Sequence, residues 1–166
     1  MGRVGRLYWI HISFYMRRNF VNGKAGNKKI LKAELGEFGF KYVKKGYYYI
    51  DDDLIIVVEL QYSNYDDTFF INYGFSIKAL HPELEYPKEN MCDIRGRFIL
   101  RDESNKIIDF HLNDCSSEEF SATITAESKR IFLPVIEGGI NRYFELEPSA
   151  IARTTKKARD YLGIEI

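Results

Sequence analysis

Residues 68–80 read Thr-Phe-Phe-Ile-Asn-Tyr-Gly-Phe-Ser-Ile-Lys-Ala-Leu, and this stretch decides the fold. Phe69, Ile71, Tyr73, Phe75, Ile77 and Ala79 alternate with Thr68, Phe70, Asn72, Gly74, Ser76 and Lys78. Period two means a β-strand with one largely buried face. Upstream, the Ile/Val-rich run Leu54–Tyr62 is a second strand, and Ser63–Asp67 is short enough to join the two as an antiparallel hairpin. Asp51-Asp52-Asp53 is a turn before it, because Asp bonds its own backbone and tolerates turn geometry. Tyr47–Ile50 is a β-prone run before that turn.

Downstream, Pro82 and Pro87 make residues 81–90 a loop. Asp93–Arg101 alternates again, with Ile94, Phe98 and Leu100 opposite Arg95, Arg97 and Arg101. Residues 102–105 are a turn, and Ile107–Leu112 a last strand with Ile108, Phe110 and Leu112 on its apolar side. The period then changes. Ser116 with Glu119 forms a capping-box pattern, followed by Phe120, Ile124, Ile131 and Val135 near one helical face. Pro134 predicts a kink or an end to that helix, and Gly138-Gly139 closes it. Pro148-Ser149 opens a last helix whose Ile151, Ala158, Tyr161 and Leu162 share a face, and Gly163 stops it. At the other end, Leu31, Leu35 and Phe38 recur at helical spacing, with Asn27 as N-cap, Gly39 as C-cap and residues 17–26 as a basic loop.

Strands grouped together with helices at both ends define an α+β fold. The expectation is one antiparallel sheet of four to five strands with one N-terminal and two C-terminal helices on one face. Residues 27–166 form a single domain, and residues 1–26 an N-terminal arm. Within that arm, Arg3 and Arg6 precede the apolar stretch Leu7–Tyr15, which is too short to span a bilayer and lacks a small-residue cleavage site. Met16 is an alternative start.

Composition excludes several classes. The chain has 166 residues, 45% apolar and 29% charged, with 24 basic and 24 acidic side chains, so it is neither disordered nor membrane-spanning. Four prolines exclude collagen-like sequence, and Cys92 and Cys115 alone do not make a disulfide scaffold. Two unpatterned thiols fit a reducing compartment, hence a cytoplasmic protein. The charge is unevenly spread: residues 1–50 hold 11 Lys/Arg and 2 Asp/Glu, and residues 51–120 hold 6 and 16. Either the segments pack together and neutralise each other, or the basic third meets nucleic acid or a membrane.

The order of short motifs carries a resemblance. Lys29-Ile30-Leu31-Lys32, Leu35 with Gly39-Phe40, Gly46 and Tyr48, Asp52-Asp53, Gln61-Tyr62-Ser63-Asn64-Tyr65, Phe70-Ile71-Asn72-Tyr73-Gly74 and Cys92-Asp93-Ile94-Arg95-Gly96-Arg97 follow one another. Over roughly residues 27–137 this succession resembles an uncharacterised bacterial family catalogued as domain of unknown function 4304. The resemblance implies a bacterial origin and a fold, and no activity. Asp93 stands where such sequences often have His, which removes a metal or acid–base role from that position.

No phosphate-binding glycine loop, His-Glu-x-x-His or paired Cys-x-x-Cys is present in the sequence. No cofactor and no metal is expected. Cys92 reads as a small buried strand residue, with Asp93 raising its pKa. Asp51–Asp53 with Asp66-Asp67 lacks calcium-loop spacing and reads as two turns. Lys41, Lys44 and Lys45 among Tyr42, Tyr47, Tyr48 and Tyr49 read as an edge strand guarded by lysine, with single-stranded nucleic acid as the other reading.

Strand parity fixes what the second sheet face carries. Glu59, Gln61 and Ser63 come from one strand, and Asn72, Ser76 and Lys78 from its partner. Arg95 and Arg97 come from the next, and Asp109 and His111 from the last. Arg95 and Arg97, two residues apart, emerge together and suit a carboxylate or phosphate. Gly74 and Gly96 leave room for a ligand or backbone to approach. The plain alternative is a solvated face laced with cross-strand pairs. The sequence is expected to be a non-enzymatic interaction module for a protein partner, in the manner of a toxin-neutralising immunity protein. The alternatives are a phosphate- or carboxylate-handling hydrolase built on Arg95, Arg97 and His111, and a nucleic-acid binder using the basic N-terminal third.

Overall fold

The computed structural model describes residues 23–165. The expectations for the Leu7–Tyr15 stretch and for a start at Met16 lie outside the described residues.

Helix α1 (Gly23–Gly36) buries Asn27, Leu31 and Leu35, a stripe at i, i+4, i+8. This corrects the expected start. The helix begins before Asn27, which sits inside it at 1% exposure and caps nothing. Gly39 ends it as expected: at φ +86° it lets Phe40 N–H donate to Leu35 O and Gly39 N–H to Gly36 O, a Schellman closure. Leu35 and Phe40 both lie in the core.

Five strands follow as an antiparallel meander: β1 (Lys41–Val43), β2 (Gly46–Ile50), β3 (Leu54–Tyr62), β4 (Thr68–Ile77) and β5 (Ile94–Arg97). Asp51 Oδ1 accepts from the N–H groups of Asp53 and Leu54 at 2.9 and 2.8 Å and so makes the β2–β3 turn. β3 and β4 pair along their whole length, from Leu54↔Ile77 to Tyr62↔Phe69. The alternation expected of residues 68–77 holds: Phe69, Ile71, Tyr73, Phe75 and Ile77 all belong to the main core.

Past β5 the chain departs from the expected long strands. Phe98 N–H still donates to Ile71 O, but the chain then leaves the sheet. β6 (Leu100–Arg101) pairs with β7 (Ile107–Ile108) in a separate two-stranded ribbon. Only β8 (Phe110–His111) returns, pairing with the start of β4 through Thr68↔His111 and Phe69↔Phe110. Ile107 and Ile108 are both exposed, at 57% and 38%, so Ile108 does not extend the apolar face.

Helix α2 (Ser117–Gly138) starts with the expected capping box between Ser116 and Glu119. Phe120, Ile124, Ile131 and Val135 are buried along it, joined by Phe132. Pro134 does not end it. The proline removes one donor near the last turn, and Gly139 N–H closes the helix beyond it on Val135 O at 2.8 Å. A short helix α3 (Asn141–Leu146) follows, so three helices rather than two come after the sheet. The expected opening at Pro148 is instead a 3-10 turn (Pro148–Arg153). The last helix, α4 (Lys156–Leu162), is capped by Thr155 Oγ1 accepting from Ala158 N–H, and ends at Gly163 with φ +68°. Ala158 is buried on it, whereas Tyr161 is 55% exposed and not part of the core.

The helix-side core is strongly aromatic. Tyr73 makes edge or tilted contacts with Phe75, Phe98, Phe132 and Tyr143. Its hydroxyl pairs with that of Tyr143 at 3.0 Å, which satisfies two buried polar tips with one bond. A second, smaller cluster of Tyr48, Ile55, Val57 and Cys92 lies on the opposite sheet face.

Candidate functional site

The opposite face is not uniformly solvated. Residues 78–93 cross it as a strap. Tyr86 packs edge-on against Tyr48 with ring centroids 5.2 Å apart. Cys92 lies over Gly74, so close that a Cβ there would stand 2.6 Å from Cys92 Cβ and 3.2 Å from the Glu89 carbonyl. Gly74 therefore makes room for the chain's own backbone, as one of the two expected occupants, and not for a ligand. Gly96 is corrected more fully. Its Cβ would stand 2.3 Å from Tyr73 Cζ, so it accommodates a core ring on the helix side.

The strap is fastened at two points. At its base, Asp93 is 2% exposed. Its carboxylate accepts from Ile77 N–H at 3.0 Å and Thr155 Oγ1–H at 3.1 Å, and bonds His81 Nε2 at 2.9 Å. One buried carboxylate thus ties the end of β4, the strap and the cap of α4. Further along, Glu89 (7% exposed) grips Arg95 in a two-bond fork, Nε to Oε1 at 2.6 Å and Nη2 to Oε2 at 3.0 Å. Glu59 is close to Glu89. Burial first, and the Glu89 charge after it, hold the Glu59 carboxyl above its ordinary value, against a backbone hydrogen bond that lowers it. Burial pushes the Cys92 thiol well up, helped by Glu89, Asp93 and Glu59, so it is not a thiolate nucleophile.

The eight sequence-chosen positions are therefore scattered over several settings. Arg95 is committed to Glu89, and Glu59 sits beside that pair. Ser63 Oγ accepts from Tyr65 N–H at 3.1 Å and shapes the β3–β4 turn. Ser76 is fully buried beside the strap and Lys78 Nζ is spent on Asp51 O at 2.7 Å, so neither adds to an open polar face. His111 Nδ1 is 2.9 Å from Asp67 Oδ1 at the far end of β4, and Asp109 is exposed beside it. The Asp67 bond raises the imidazole above its ordinary value, and the imidazole lowers Asp67. His111 pairs with Thr68, and Arg97 with Asn72, four positions along β4. That is about 13 Å at the rise of a strand. The hydrolase constellation of Arg95, Arg97 and His111 is not assembled.

Three chosen residues do come together. Arg97 Nε–H donates to Asn72 Oδ1 at 2.8 Å, and Asn72 Nδ2–H donates to Gln61 Oε1 at 2.8 Å. The guanidinium lies over the Phe70 ring, Cζ 4.1 Å from its centroid. Asn72 is only 8% exposed, so its amide is a fixed acceptor. Among the described residues Arg97 has no ion-pair partner. Its two terminal nitrogens remain available on a solvent-exposed side chain. Phe70 was legible as an aromatic at a polar-face position. Glu89 was not, because only tertiary folding of the 81–93 segment brings it to Arg95.

The tyrosines of the basic run are also resolved. Tyr47 and Tyr48 are 3% and 4% exposed, leaving Tyr42, at 45%, as the open one of these three. The described residues contain no cluster of three or more metal-ligating side chains. None of their helices is long and apolar enough to cross a membrane.

An antiparallel meander with helices on one face and a self-supplied strap on the other defines an α+β fold built on one main sheet. Residues 31–138 match the family described as a domain of unknown function, DUF4304, and the chain belongs to that family. No curated protein and no solved structure matches it.

Proposed function

We propose that the chain is a non-enzymatic interaction domain, bacterial and cytoplasmic, that docks an acidic segment of a protein partner on the open half of its strap-side sheet face. The observation that carries this reading is the Arg97 seat. Asn72 holds Nε, Phe70 supports the plane, and the outward edge of the fork is left for a carboxylate. The side chain is already ordered, so less rotamer entropy is lost on binding. Arginine anchors of this kind dominate many protein interfaces. The seat lies on an open sheet face, which suits a side-chain carboxylate presented by another protein better than a small free ligand that needs enclosure. Cys92 and Cys115 are buried and not joined in a disulfide, in keeping with a reducing compartment.

The test uses two immobilised sets of 12-residue peptides, one bearing glutamates and one with each glutamate replaced by glutamine. The wild-type chain is expected to be retained by members of the glutamate set alone. Arg97→Gln loses that retention, and Asn72→Ala weakens it. Equal retention of wild type and Arg97→Gln, or no retention by either set, contradicts the proposal.

A further inference from the structure

A second surface, on the helix side of the sheet, carries a different chemistry. Lys24, Lys28 and Lys32 recur every four residues on α1, so they form one row with about 6 Å of rise between successive members. All three are exposed. The row runs along the flank of α1 that meets the sheet edge. Tyr62 Oη–H donates to Lys24 O at 3.4 Å and Tyr47 Oη–H to Lys28 O at 3.0 Å, while Lys24 Nζ lies 4.8 Å from the Tyr62 ring centroid. The opposite flank of α1 faces α2, where Glu34 accepts from Thr125 Oγ1–H at 2.7 Å and from Ser121. The nearest acid on the helix is thus turned away from the row.

Tyr42 borders the row. It pairs with Tyr47 across β1 and β2, their rings 5.0 Å apart, and is 45% exposed. Like charges at i, i+4 weaken a helix, yet among the described residues none of these lysines has an ion-pair partner. Lys29 and Lys41 are exposed as well. Lys24 is eased by the Tyr62 ring, but no acid among the described residues offsets the row, which marks it as a surface kept for a partner.

We infer that this flank of α1, with the Tyr42 ring, binds single-stranded nucleic acid. The lysine row follows a chain of phosphates, and Tyr42 offers a face on which one base stacks. A membrane surface would call for apolar side chains beside the lysines, and an acidic protein would leave the tyrosine ring without a use. This inference is independent of the Arg97 seat, which lies on the other side of the sheet.

The test is fluorescence anisotropy of the full chain with a labelled 20-nucleotide oligo-dT between 50 and 200 mM salt. Three lysine contacts alone give a slope of log K against log salt of about −2. The variant K24Q/K28Q/K32Q is expected to bind at least about tenfold more weakly at 50 mM salt, with the slope shallower by about 2. Tyr42→Ala lowers affinity about fivefold or more at an unchanged slope, because stacking releases no counterions. Circular dichroism of each variant establishes that it is folded.

Three results overturn the inference. One is no binding at 50 mM salt. A second is an unchanged slope in the lysine variant, which takes the row out of the binding. The third is equal competition by polyglutamate or by phosphatidylserine vesicles, which assigns the surface to acidic protein or to lipid.

Discussion

The Glu89 carboxylate and the Arg95 guanidinium are joined fork to fork, at 2.6 and 3.0 Å, across the gap between the strap and β5. This pair divides two arginines that look equivalent in the sequence. Arg95 fastens the strap, and Arg97 is left facing outward. Arg95→Ala leaves Glu89 buried near Glu59 with no cation, so a loss of about 2 kcal/mol is expected in urea unfolding. Arg97→Ala should cost less than about 1 kcal/mol. Equal losses for the two would show that the structural division between them is wrong.

The β1–β2 hairpin has a two-residue turn, Lys44-Lys45, with φ of +48° and +76°. Left-handed backbone costs an ordinary residue roughly 1–2 kcal/mol. Two-residue hairpins of this kind favour Asn-Gly. Replacing the pair, K44N/K45G, is expected to stabilise the protein by about 1 kcal/mol, even with the loss of the Lys44 contact to Tyr86 at 5.1 Å. A fall in the urea midpoint would mean that the lysines are held by contacts stronger than this one.

Gly96 exists for Tyr73. With Tyr73 Cζ 2.3 Å from the position of a Cβ, and the Tyr73 hydroxyl tied to Tyr143, the ring cannot retreat. Gly96→Ala should therefore cost about 1–3 kcal/mol. The cost should shrink in a Tyr73→Ala background, and a double-mutant cycle measures that coupling. Purely additive losses would contradict the contact.

His111 and Asp67 give a pH signature. The imidazole pKa is raised in the fold, so the pair's contribution is present below the ordinary imidazole value and fades as pH rises through the folded one. In a proton NMR titration His111 should titrate above 6.5, its ordinary value, and Asp67→Asn should bring it back down. A midpoint at or below that value in the wild type would show that the bond to Asp67 does not form.

Much of the fold was legible because it rests on local pattern. The parity of residues 68–77, the Asp51 turn, the Ser116–Glu119 box and the Gly39 and Gly163 stops all work through neighbours in sequence. What was missed depends on distant partners. The N-terminal extension of α1 follows a stripe that includes Asn27, a polar residue buried against expectation. The Asp93–Arg101 run alternates well, yet breaks after Phe98 because β6 pairs with β7. Ser76 had the parity of an exposed residue but lies beside the strap. Parity put Gln61, Asn72 and Arg97 on one face, where hydrogen bonds join them. It could not show that Arg95 was already taken, since that depends on where residues 81–93 fold.

Arg97, and not Arg95, is the guanidinium left open to a partner. Nitrogen-resolved NMR of the arginine side chains, before and after addition of a glutamate-rich peptide, tests it directly. A slowly exchanging Arg97 Nε–H is expected in the unbound protein, with saturable shifts of the Arg97 resonances on binding and Arg95 unmoved. Shifts at Arg95, or none at Arg97 at saturation, would contradict it.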